Sequence, residues 1–101
     1  MSDSAQTIKD LKTLYQSETD PDLKQALFHQ YEAALDAALS IVDKDIGDTS
    51  QQLKDATDKL QKAIDDVREA KKNLADVATA IKNLAKVVDL FVKVAGLVAG
   101  A

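Results

Sequence analysis

From Leu53 to Val98 the chain repeats an apolar pattern every seven residues without a lapse. One core position is held by Leu53, Leu60, Val67, Leu74, Ile81, Val88 and Ala95, the other by Ala56, Ala63, Ala70, Val77, Leu84, Phe91 and Val98. Apolar residues three and four apart share one side of an α-helix but alternate between the faces of a strand, so this stretch reads as helix. Neither Pro nor Gly occurs between Thr49 and Gly96, and the sequence predicts one helix over about 49–99. At about 1.5 Å per residue it would be roughly 75 Å long, far more than a compact domain of 101 residues needs.

The residues flanking this seam change character halfway along. Before Leu74 they include Thr57, Lys59, Asp66, Lys71 and Asn73, so the apolar strip is narrow and one antiparallel neighbour would cover it. After Leu74 they become Ala78, Ala80, Ala85, Val87, Val92 and Val94, with Leu90 and Leu97 added. Leaving a dozen such side chains wet would forgo on the order of 15 kcal/mol, comparable to the stability of a whole domain. Something must cover this segment. The expected interaction face is Leu74, Val77, Ile81, Leu84, Val87, Val88, Phe91, Val92, Val94 and Val98.

The first half supplies two shorter amphipathic helices. Ile8, Leu11, Leu14 and Tyr15 form one stripe in a helix over about 4–17, opened by Asp3 or Ser4 as cap. Pro21 pushes Asp20 out of helical geometry and pre-sets the first turn of a second helix over about 21–45, with Leu23, Leu27, Tyr31, Ala34, Ala38, Ile41 and Val42 on one side. Ile46-Gly47-Asp48-Thr49-Ser50 is the clearest turn, with Gly47 suited to end a helix and Thr49-x-x-Gln52 suited to start one. Three Gly and one Pro in the whole chain leave too little turn chemistry for a fold of many short elements.

These elements predict a single all-α domain over 1–101. The favoured architecture is a long antiparallel helical hairpin folded at Gly47 and kinked at Pro21, assembling with another copy into a four-helix-bundle or coiled-coil-like oligomer. In that register Val42 faces Leu53, Leu35 faces Leu60, Leu27 faces Val67, and Ile8 to Tyr15 lies beside Ile81 to Val88. The alternative folds helix 1 back at Pro21, making a three-helix bundle of residues 5–72 from which the C-terminal helix projects. A chain near one hundred residues folded at Ile46-Gly47, with these two helix lengths, is similar to the small secreted helical hairpins of the WXG family. Asp45 stands where that family has its tryptophan and no Tyr-x-x-x-acid signal follows, so the resemblance implies the hairpin plan alone.

Charge and chemistry narrow the function. The net charge of −4 disfavours nucleic acid, whose backbone demands a clustered basic surface. Residues 1–48 carry roughly −6 and residues 49–101 roughly +2, so opposite halves can lie side by side. With no Cys and one His there is no disulfide framework and no ordinary zinc site. His29 precedes Glu32, the reverse of the Glu-x-x-His order of di-metal bundles and in a single copy. The run from Asp43 to Asp48 places its glycine at position five and Lys54 at position twelve of a would-be calcium loop, where an EF-hand needs position six and a Glu. Asp55 with Lys59, Asp58 with Lys62 and Asp89 with Lys93 read as a solvated helix face.

No nucleophile beside a base and no glycine-rich phosphate loop appears, so no catalytic, cofactor or metal residues are expected. The N-terminus lacks a basic start followed by an apolar run, and Lys82, Lys86, Asp89 and Lys93 interrupt the most apolar region. The expectation is a soluble cytoplasmic protein, with non-classical export left open. Its expected function is non-enzymatic: a helical interaction or structural protein that self-assembles, or binds helical partners, through the apolar C-terminal half of its long helix. The alternative is a membrane-active protein whose segment Leu84 to Ala101, with Lys82, Lys86 and Lys93 on a polar strip, lies on or enters a bilayer.

Overall fold

A computed structural model describes residues 4–43, 51–73 and 76–100 of the chain. They form four α-helices: α1 (Ser4–Ser17), α2 (Pro21–Asp43), α3 (Gln51–Lys72) and α4 (Val77–Gly100). The molecule is all-helical among the described residues, a bundle measuring 41 × 20 × 20 Å. The turn at Gly47, its Thr49 cap and the side chain of Val42 lie outside the described residues.

The turn between α1 and α2 forms where Asp20-Pro21 places it, and it reverses the chain. Ser17 Oγ donates to the Leu14 carbonyl at 2.9 Å and closes α1. Glu18, 7% exposed, folds its carboxylate into the turn, where Oε1 accepts from the backbone N–H groups of Thr19 and Asp20 at 3.0 and 3.1 Å. Asp20 Oδ1 then caps α2 by accepting from Asp22 N and Leu23 N at 2.9 and 3.3 Å. Pro21 follows as the first helical residue, where its missing N–H costs nothing. Helix α1 therefore packs back along α2 instead of running collinear with it across a kink. Tyr15 sits against Phe28 and Tyr31 with ring centroids 5.1 and 5.5 Å away.

The single helix over 49–99 is replaced by two. Helix α3 ends at Lys72, and α4 begins at Val77 and folds back along α3. The physical reason is the width of the apolar face beyond Leu74: one neighbour cannot cover it, but a helix folded back into the bundle acquires two, α2 and α3. Asp76 makes the break by capping α4, its Oδ1 accepting from Thr79 N at 3.1 Å and its Oδ2 from Thr79 Oγ1 at 2.6 Å. The 75 Å rod becomes a molecule whose longest dimension is 41 Å.

The neighbours also differ from the hairpin register. Helix α1 lies beside α2 and α3, and α4 beside α3 and α2, so α1–α4 and α2–α3 are the diagonals. Leu27 and Leu35 consequently do not face Val67 and Leu60 on an adjacent helix, nor does the α1 stripe lie beside α4. The α1–α3 seam runs parallel, since Thr7 bonds Gln61 near one end and Glu18 pairs with Lys71 near the other. This seam is edged with polar side chains. Buried Thr7 donates from Oγ1 to Gln61 Oε1 at 3.0 Å, and Gln61 Nε2 donates to Asp10 Oδ2 at 3.1 Å and Asp65 Oδ1 at 3.2 Å. Arg68 stands 3.8 Å from the Asp10 carboxylate and 3.5 Å from that of Asp65. Inside, Ile8, Leu11 and Leu14 meet Leu27, Ile41, Leu60, Ile64, Leu84 and Phe91 in one continuous core.

Candidate interaction surface

The fold divides the expected interaction face into an inner and an outer part. Ile81, Leu84, Val88 and Phe91 are buried within the chain's own core. Val77, Val87, Val94 and Val98 are half-buried along the edges of α4, Val92 is exposed, and Leu74 lies outside the described residues. The face that the heptad marked most strongly is therefore largely spent on intramolecular packing.

What α4 presents outward is a different set. Leu97 is 66% exposed and Leu90 40%, one heptad apart, with Val94 half-buried between them. These three line a shallow groove of about 200 Å³ whose α3 wall is Gln52, Asp55, Ala56 and Lys59. On the other flank of α4, Val92, Ala95 and Gly96 meet Ala33, Asp36, Ala37 and Ser40 of α2 around a groove of about 340 Å³. A Cβ at Gly96 would meet nothing within 4 Å, so the space beside it is open. Leu90 and Leu97 are legible in the sequence as residues that widen the apolar face; what sequence reasoning misses is that they, and not the heptad seam, stay outside once α4 folds back. Leu39, 50% exposed on α2, is a further outward apolar residue with no periodic signal to single it out.

The charges around this surface are mixed. Lys82, Lys86 and Lys93 are exposed along α4 with Asp89 among them, while Asp55 and Asp58 are exposed on α3. At the start of α4, the side-chain and backbone hydrogen bonds from Thr79 hold the Asp76 carboxyl below its usual 3.8, with Lys82 adding a smaller attraction. On the neighbouring seam Lys71 Nζ stands 3.4 Å from Glu18 Oε2, an ion pair without hydrogen-bond geometry at that oxygen.

His29 and Glu32 are both exposed on α2. Among the described residues no three His, Asp or Glu side chains converge on a point that would hold a metal ion. Most of the acidic run from Asp43 to Asp48 lies outside them.

Fold and surface together define an all-α helical bundle with an apolar stripe on its last helix. No protein-family model matches the chain, and no curated protein and no solved structure matches it either.

Proposed function

We propose that this chain is a non-enzymatic helical interaction protein whose main partner is a second copy of itself, docked along the α3/α4 groove. The observation that carries the reading is the exposed pair Leu90 and Leu97 with half-buried Val94 between them, spaced as the anchors of a helix–helix contact. Charge favours a second copy as occupant. Asp55 and Lys59 line the groove on α3, and Lys86 and Lys93 are exposed on α4 beside Leu90 and Val94, so a two-fold axis can set Asp55 of each copy near lysines of the other. The resulting assembly is an oligomer of bundles, joined through residues outside the heptad seam.

Light scattering over a concentration series tests this, with the double substitution Leu90→Glu and Leu97→Glu as comparison. The expected outcome is a wild-type dimer at high concentration and a monomeric variant of unchanged helicity. A wild-type chain that stays monomeric, or a dimer indifferent to both glutamates, overturns the reading.

A second reading has one observation of its own: Lys82, Lys86 and Lys93 flank the exposed leucines, the arrangement of a helix lying on an anionic membrane surface. No described helix is long and apolar enough to cross a membrane, so surface attachment is the form this reading takes. Co-sedimentation with vesicles containing anionic lipid, absent with neutral vesicles, is its expected sign.

A further inference from the structure

We infer that two copies of this chain can exchange α4, with α3 and α4 of each running on as one helix so that α4 of one copy takes the place of α4 in the other. The inference rests on the reading that copies of the chain associate, but not on the Leu90–Leu97 stripe.

The first observation is one of phase. Leu53, Leu60 and Val67 in α3 and Ile81, Val88 and Ala95 in α4 are all buried, and all stand at multiples of seven from one another across the break. Ala56 and Ala63 in α3, with Leu84 and Phe91 in α4, form a second buried series that keeps step in the same way. Two helices joined by a turn present whichever sides face the core, and nothing obliges those sides to share a phase. A single continuous helix does oblige them. A sequence that maintains the phase through the turn satisfies both arrangements.

The second observation is the connection itself. Asn73-Leu74-Ala75-Asp76 contains neither Gly nor Pro, so it holds no strong helix breaker. Asn73 N donates to the Glu69 carbonyl at 3.0 Å, continuing the helical spacing of α3 one residue past Lys72. On the α4 side the break is held by the exposed cap between Asp76 and Thr79. Exchange therefore gives up one surface cap while Ile81, Leu84, Val88 and Phe91 return to equivalent places against α2 and α3 of the other copy. Conservation of buried contacts together with a short connection is the situation in which helix exchange between copies is inexpensive.

The chain has no cysteine, so a label pair can be placed cleanly. Asp58 and Asp89 are exposed and each precedes a residue of the α3/α4 groove, Lys59 and Leu90. In the folded-back chain, labels on Asp58→Cys and Asp89→Cys lie within about 25 Å, the spacing of packed helices plus two label arms. In a continuous helix they lie about 45 Å apart. The doubly labelled chain is refolded with excess unlabelled chain at high concentration, and the intrachain distance is read in the isolated dimer by pulsed electron paramagnetic resonance. The expected result is a dimer dominated by the long distance, which is lost in a chain with Gly-Gly inserted between Leu74 and Ala75, where only the short distance remains. A dimer showing only the short distance overturns the exchange; if Leu90→Glu with Leu97→Glu disperses that dimer, the surface reading survives alone. A long-distance dimer that tolerates those glutamates supports exchange and removes the surface stripe. A chain monomeric throughout overturns both.

Discussion

The two helix-to-helix turns at one end of the bundle do the same job with opposite means. Between α1 and α2 the chain turns around a buried carboxylate: Glu18 binds two backbone N–H groups, Lys71 reaches it from α3, Asp20 caps, and Pro21 admits only one continuation. Between α3 and α4 the reversal is held by an exposed carboxylate, Asp76, on one hydroxyl and one N–H, with no buried group and no proline among its described residues. The first turn is fixed by its own residues; the second is fixed by what α4 gains when it folds back. Local chemistry and core burial are thus alternative ways to end a helix, and only the first is written locally.

The contrast predicts a ranked set of effects on stability. Replacing Glu18 with Ala removes the acceptor for two turn N–H groups and strands Lys71, and is expected to cost about 2–3 kcal/mol in urea unfolding. An unchanged midpoint would mean that Asp20 and Pro21 hold the turn without Glu18. Lys71→Met leaves the Glu18 carboxylate without its counter-charge; the partial exposure of the lysine limits the loss to about 1–2 kcal/mol, and high salt should narrow the gap from wild type. Asp20→Ala removes the α2 cap and should cost about 1 kcal/mol, with Asp20→Ser recovering most of it in the same assay.

The smallest effect belongs to Asp76 and shows as a pH dependence. Its carboxyl titrates lower in the folded chain than its ordinary 3.8, so the unfolded chain binds the proton first as pH falls. The stabilisation is complete above that ordinary value and disappears as pH drops through the depressed one. Asp76→Asn should therefore unfold more readily than wild type at pH 6 and converge with it toward pH 2. Equal stability of the two chains at pH 6 would show that the charge of the Asp76 carboxylate contributes nothing beyond what an amide cap supplies.

The same distinction explains how much the sequence disclosed. The end of α1 and the start of α2 follow from Asp20-Pro21, whose effect on the backbone is independent of context. The all-helical class follows from the apolar period. The break after Lys72 was hidden because Asn73-Leu74-Ala75-Asp76 carries no breaker and Leu74 continues the heptad; Asp76-x-x-Thr79 is a cap pattern that an interior helix also tolerates. The apolar widening beyond Leu74 did signal the need for more than one neighbour, but not that the chain itself would provide them. Hence Ile81, Leu84, Val88 and Phe91, marked for a partner, became core, and Leu90 and Leu97 took the outer position.

The diagonal placement of α2 and α3 also shapes how the chain reaches this state. The α1–α2 and α3–α4 pairs each close across a connection of a few residues, while the remaining seams join distant segments, Thr7 to Gln61 being 54 residues apart. Loop-closure entropy is small within each pair and large between them. Refolding should accordingly have two fast-forming local units whose mutual docking sets the observed rate, giving a kinetic barrier located at the α1–α3 and α2–α4 seams and not at either turn.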